Sequence, residues 1–404
     1  MILLMKMGMS SIFLYYIAGV LAPSAWVFHR YGFTKMIGTF TITSAVTSYA
    51  ILVCVNPHVE ELLTGRKATS SAKRTSDASK KKRRSAERND DSPVSASKFY
   101  AEYHGHKTQH LKKVHDRLRT SCDRMIFLCG DSSLDNKHWL FPVDPLSTKR
   151  QLFSNEVRRR SKRFLADAIN GYEDVLSPPF MMKDVCYHLN NAAHERRLNG
   201  ATALRTCTIM TSVEESTLED RDDDILAQDI FIRDHITSRD DLVVSVGGND
   251  IALRPTLRTA FNMLLLTKSP DALIQRGLAP GLGYFVDFFH SNIQRLLDRV
   301  TRKQKPRRIV VCMIYFPDET PGGWADVTLK KLGYDETPEK LQLCIRKIFD
   351  GIKRRGFFVA GSKVDVFPLF RVLDGKNHGD YYHRVEPSDA GGKKMANALL
   401  DFLG

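Results

Sequence analysis

Arg124-Met125-Ile126-Phe127-Leu128-Cys129-Gly130-Asp131-Ser132-Ser133-Leu134-Asp135-Asn136 is an apolar run that stops at a glycine and delivers a serine onto whatever follows. An uninterrupted apolar run of this length, closed by Gly, reads as a strand buried on both faces, as in a parallel sheet. If a helix begins directly after it, the first N–H groups of that helix lack partners, so a side chain at the turn sits beside ready-made donors for an anion. Ser132 is therefore the candidate nucleophile. Asp131 reads as a turn-former and Asp135 as an acid in the first helical turn.

Two later stretches end in the same manner. Leu242-Val243-Val244-Ser245-Val246-Gly247-Gly248-Asn249-Asp250 is a second apolar strand, closed by Gly-x-Asn-Asp. Near the C-terminus stand Asp380-Tyr381-Tyr382-His383, then Glu386-Pro387-Ser388 and Gly391-Gly392. In this order the three segments resemble the GDSL/SGNH family of serine esterases over residues 120–404. The Gly-x-Ser-x-Gly elbow of the other large serine-esterase fold is absent.

The resemblance implies an acyl-serine mechanism. Ser132 would attack the ester carbonyl, and the Asn249 side-chain amide with the Ser132 backbone N–H would form the oxyanion hole. Loss of one such donor typically costs about 2.7–4 kcal/mol in the transition state.

Two departures from the family pattern bear on catalysis. The usual Asp-x-x-His runs straight into Pro-Ser; here Asp380 and His383 have the right spacing, but Glu386 precedes Pro387-Ser388. Aligned on Asp-x-x-His, His383 is the base and Asp380 orients it. Aligned on Pro-Ser, Glu386 takes the base position and His383 the orienting one. The first alignment is preferred because imidazole titrates near neutrality; a carboxylate would need a raised pKa. His378 is a further base candidate nearby. The second departure is a missing glycine: after Ile209-Met210-Thr211 come Ser212-Val213-Glu214-Glu215-Ser216-Thr217. Glutamates close to the nucleophile disfavour a developing anion.

The surrounding pattern alternates strands with helices, which predicts a doubly wound α/β domain. Strands are expected at residues 125–129, 204–211, 242–246, 308–314 and 363–367, and helices at 155–169, 228–236, 260–266, 284–297 and 339–354. Together they predict a flavodoxin-like three-layer sandwich on a five-stranded parallel sheet. In such folds the ligand sits beyond the carboxyl ends of the strands, where Ser132 and Asn249 fall. The Pro321-Gly322-Gly323-Trp324 turn could bring a tryptophan to the same cleft.

The N-terminal quarter is of another composition. Residues 9–28 and 36–55 are uncharged stretches of the length an α-helix needs to cross ~30 Å of hydrocarbon. They are expected to form a transmembrane helical hairpin, the rival reading of the first being a cleaved signal peptide. From Arg66 to Arg88 ten Lys and Arg stand against Asp77 and Glu87, the larger part of the chain's formal net charge of +14. Such a segment buries too little apolar surface to fold alone. The domain reading is thus 1–56 membrane anchor, 57–97 disordered polybasic linker and 98–404 catalytic domain.

Beside an apolar hairpin the basic run reads as attracted to anionic lipid. No zinc-finger or basic-helix pattern accompanies it, which argues against nucleic acid as partner. Two spans return the chain to its starting side, and the positive-inside bias makes that side cytosolic, with the endoplasmic reticulum as the working placement. Seven scattered cysteines in an apolar context suit a reducing compartment. The expected partner is an ester substrate, a lipid acyl ester or an O-acetyl group. Neither a metal nor another cofactor is expected, since the acidic run from Glu219 to Asp224 lacks the ligand spacing of a calcium loop.

Overall fold

The computed structural model describes residues 92–140 and 164–404. The expected membrane hairpin and the linker as far as residue 91 lie outside these residues. Among the described residues no helix is long and apolar enough to cross a membrane.

The elements that place the site are, in chain order, α1 (Thr108–Arg119), β1 (Arg124–Gly130), α2 (Val185–Leu198), β2 (Thr206–Met210), α3 (Ala227–His235), β3 (Asp241–Ser245), α4 (Leu257–Lys268), α5 (Leu282–Val300), β4 (Arg308–Met313), α6 (Pro338–Arg355), β5 (Lys363–Pro368) and α7 (Asp389–Leu403). Strands β1 to β5 form one five-stranded sheet in the order β2-β1-β3-β4-β5, every pair parallel. That order is flavodoxin-like and reverses direction at β1, which opens a crevice at the carboxyl ends of β1 and β3.

The central strands are buried along nearly their whole length, so they read as unbroken apolar runs and not as alternating ones. Right-handed crossovers place α2 on one face and α3, α5 and α6 on the other. Accordingly α7 packs on α2, while α5 packs on α3 and α6. The folded unit takes in Val94 and Ala96, both in the core, so it begins a few residues before 98.

Two expectations need correction. The helix expected over 155–169 does not reach its end: Leu165–Asp167 is a short strand paired antiparallel with Phe180–Met182. Pairing Leu165 with Met182 buries both side chains, and the left-handed residues Asn170 and Gly171 close the segment. After Ser132, residues 131–140 form turns and no helix. A single helical bond, Asp135 N–H to the Asp131 carbonyl at 2.9 Å, is not continued. Asp135 is no solvated helix acid; it is fully buried and bonded to the equally buried Lys137 ammonium at 2.5 and 2.7 Å.

At the amino ends of the strands the charges are paired. Asp240 accepts both guanidinium nitrogens of Arg119 at 2.8 and 2.7 Å and the Met125 and Thr237 backbone N–H groups. Arg307 grips Asp241 through two bonds, and Arg308 bonds Asp365.

Candidate active site

Each loop at the carboxyl edge of the sheet contributes one part of the site. Strand β1 ends at Gly130 because it lies so close to β3 that a Cβ there would sit 1.8 Å from the Ser245 carbonyl oxygen. Asp131 N–H then bonds that same carbonyl, and the Asp131 carboxylate accepts the Ser133 N–H at 3.0 Å. Asp131 is thus the turn-former expected, and the turn sets Ser132, 7% exposed, into the wall of a cavity. The Ser132 backbone N–H donates to no acceptor among the described residues.

Strand β3 delivers Asn249 on the short helix Gly248–Ala252. Its amide nitrogen donates to the Ser216 carbonyl at 3.1 Å, which fixes its direction and leaves the second N–H of that nitrogen available. Asp250 accepts backbone N–H bonds from Leu218 and Glu219, so the Asn-Asp pair ties the loops after β2 and β3 together. Burial raises the Asp250 pKa to about 6 against those bonds.

The loop after β2 carries the two glutamates. Its left-handed residue is Glu215, φ 59°, where glycine would be the unstrained choice. Glu215 accepts the Tyr103 hydroxyl at 2.9 Å. Glu214 is buried; one carboxyl oxygen accepts the Trp139 indole N–H at 2.8 Å and the other has no partner. Burial first, and then the charge of Glu386, push its pKa well above the usual carboxylate range.

The C-terminal motif forms a hairpin of β6 (Tyr381–Tyr382) and β7 (Glu386–Pro387), antiparallel, with Tyr382 opposite Glu386. His383 and Arg384 make the turn, both left-handed at φ 49° and 74°. Consecutive positive φ values suit the twist of a tight hairpin. In non-glycine residues they persist only where the surroundings hold them. Here Arg384 supplies the hold: its buried guanidinium bonds Asp326, Asp335 and the Asp318 carbonyl. Tyr315 adds a bond to the Val385 carbonyl at 2.6 Å.

This geometry separates the residues of the motif. His383 is exposed at the turn, edge-on to the Trp139 ring with centroids 5.2 Å apart. Asp380 is buried and accepts from Lys394 at 2.6 Å and Asn377 at 3.1 Å, so the expected Asp380–His383 pair is not formed. His378 is bonded to Asp318. Ser388 caps α7 through the Gly391 N–H. Glu386, by contrast, lines the same cavity as Ser132 and Asn249.

Burial raises the Glu386 pKa to about 8, and the Asp131 charge adds to the rise, while the Ser132 hydroxyl and the Trp324 indole beside the carboxylate pull it down. The indole contact falls short of a full hydrogen bond, since Glu386 Oε2 and Trp324 Nε1 both lack a partner at bonding geometry. Trp324 reaches this spot because Gly323 passes so near the hairpin that a Cβ would lie 2.4 Å from the His383 Cα.

Of the residues proposed from sequence, the fold brings Ser132, Asn249 and Glu386 together and leaves Asp380, His383 and His378 away from the cavity. Sequence reading gave no role to Arg384, which looks like a loop cation, or to Trp139 and Tyr315. It also missed the cavity itself, of about 150 Å³, which runs from Ser132 between α4, α5 and α6 past Met263, Phe285, Phe289, Ile345 and Ile348.

No protein-family model and no curated protein matches the chain. Solved structures to which the chain is similar at low identity include the following three. An extracellular lipase from Streptomyces rimosus is 12% identical, covering 70% of this chain and 99% of the lipase at a TM-score of 0.35. A phospholipase A1 from Streptomyces albidoflavus is 11% identical, covering 70% of this chain and all of the phospholipase at 0.33. An acetyl-xylooligosaccharide esterase variant from Geobacillus stearmophilus is 13% identical, covering 70% and 95% at 0.32.

Proposed function

We propose that the protein is a membrane-anchored serine ester hydrolase in which Ser132 is the nucleophile and Glu386, not His383, is its base. The observation that carries this reading is the Glu386 carboxyl beside the Ser132 hydroxyl, in a cavity that also holds Asn249. The Glu386 carboxylate takes the hydroxyl proton as Oγ bonds to the carbonyl carbon. The Asn249 amide and the Ser132 N–H meet the oxyanion. Collapse returns the proton to the departing alkoxide, and water repeats the sequence on the acyl-serine. A base titrating at about 8 is ionised in only a minority of molecules at neutral pH, so the rate should rise with pH up to about 8.

A serine-directed fluorophosphonate should label the full chain, and Ser132→Ala should remove the label while leaving the unfolding midpoint in place. A folded chain that neither labels nor hydrolyses p-nitrophenyl esters would instead be an SGNH-type binding module without turnover. The absence of a glycine from the loop after β2, whose left-handed residue is Glu215, is what favours that second reading.

The anchor rests on the uncharged stretches 9–28 and 36–55, and the cytosolic side on the cations from Arg66 to Arg88. Protease added to sealed microsomes should then digest the folded unit; full protection would place it in the lumen.

A further inference from the structure

Helix α4 is apolar on both sides, an arrangement expected of a helix covered all round. Its inner side, with Met263, Leu266 and Thr267, lines the cavity that holds Ser132. Its outer side carries Leu257, Phe261, Leu264 and Leu265, spaced i, i+4, i+7, i+8 along one face, and all of them are exposed, Leu257 by 62%. Leu273 and Leu278, the latter 68% exposed, follow in the next segment. An apolar face of this extent on a soluble domain marks a surface that something covers.

Charge identifies the cover. Between residues 253 and 278 stand Arg254, Arg258, Lys268 and Arg276, all exposed, against the single acid Asp271. Arg254 is held by Asp220 and the Glu215 carbonyl and Arg258 lies over the Tyr284 ring at 5.1 Å, so Lys268 and Arg276 are the cations that this face offers. Leucines and a phenylalanine beside such cations make the surface of an interfacial helix, which sinks its apolar side into the headgroup boundary while its cations meet anionic lipid.

We infer that the outer face of α4, with Leu273 and Leu278, docks on an anionic lipid surface. Docked so, the inner face of the same helix holds the Ser132 cavity about one helix diameter, roughly 10 Å, from the acyl region. A cavity of 150 Å³ holds about six carbon atoms. On the hydrolase reading above, the substrate is then an ester drawn from that surface with an acyl chain of about six carbons in the cavity, and an acetyl group leaves the cavity unfilled.

The test reads position, not activity, so it fails or succeeds independently of the hydrolase reading. Every cysteine of the described residues is buried. In a Cys54→Ser background of the full chain, Phe261→Cys and, separately, Leu257→Cys are labelled with an environment-sensitive fluorophore. They are then mixed with phosphatidylcholine vesicles, with and without phosphatidylserine, some bearing brominated acyl chains. Docking predicts a blue shift and at least twofold quenching by bromine at both positions, several times weaker without phosphatidylserine and lost in Lys268→Glu/Arg276→Glu. Absence of quenching in vesicles that the chain demonstrably binds overturns the inference, as does equal quenching without anionic lipid. A fluorophore shielded before lipid is added also overturns it: concentration-independent shielding would mean cover by the chain's own residues, and concentration-dependent shielding cover by a second copy.

Discussion

The two ends of the one parallel sheet are built on opposite electrostatic terms. At the amino end Arg119, Arg307 and Arg308 meet Asp240, Asp241 and Asp365 at hydrogen-bonding distance, and the Asp240 oxygens also accept two backbone N–H groups. At the carboxyl end Glu214 and Glu386 are buried with an unpartnered oxygen each, and the charge of Glu386 bears on Glu214. Burying a carboxylate without a cation costs free energy, which these groups avoid by holding their protons. One edge is therefore satisfied and stabilising, whereas the other is left unsatisfied where a nucleophile needs a base. Parallel strands make this division possible, because they send every loop that ends a strand to the same side.

The largest effect that could break the comparison is catalytic. Glu386→Gln should lower kcat on a p-nitrophenyl ester by about 10²–10⁴-fold, the usual span for a general base, and His383→Ala by only a few-fold. The reverse ordering would return the base to the hairpin turn and strip the carboxyl edge of its assigned role.

At the other edge the expected effect is on stability. Asp240→Ala leaves the Arg119 guanidinium half-buried without its partner and two backbone N–H groups without acceptors, and should cost about 3–5 kcal/mol in urea unfolding. Activity per folded molecule should be unchanged. A loss under 1 kcal/mol would show that the paired edge stabilises no more than a surface ion pair does.

A third effect sharpens the contrast through pH. The Glu386 pKa stands at about 8 in the fold against an ordinary 4.5, so the folded state binds the extra proton between those values. Its contribution to stability is fully present below about pH 4.5 and is lost as pH rises through about 8. The wild-type unfolding midpoint should fall across that window, and Glu386→Gln should flatten the fall. An unchanged slope in the variant would mean that Glu386 is ionised at neutral pH.

The sheet was legible because its strands are apolar runs bounded by Gly, Pro or charged residues, and the five expected strands all form. Ser132 and Asn249 were legible for the same reason, since each follows the end of such a run. Local pattern does not extend to the hairpin. Spacing alone made Asp380-x-x-His383 look like the catalytic pair, yet Glu386 is the residue facing the cavity. The difference lies in the left-handed turn at His383 and Arg384, held by the Arg384 ion pairs to Asp326 and Asp335 and by the contact with Gly323. Those partners are some fifty residues distant in sequence, and no periodicity announces them.

What the sequence by itself determined was the order of strands and helices, the strand-end positions of Ser132 and Asn249, and the change of composition before the folded unit. These follow from short-range patterns of apolar and turn-forming residues. Only the tertiary structure decided which acid or imidazole stands by Ser132, that the charge of Glu386 bears on the buried Glu214, and that α4 has a cavity on one side and an exposed apolar face on the other. A side chain's pKa and its exposure depend on neighbours that long-range packing supplies, and in this chain that packing joins loops from all five strand ends.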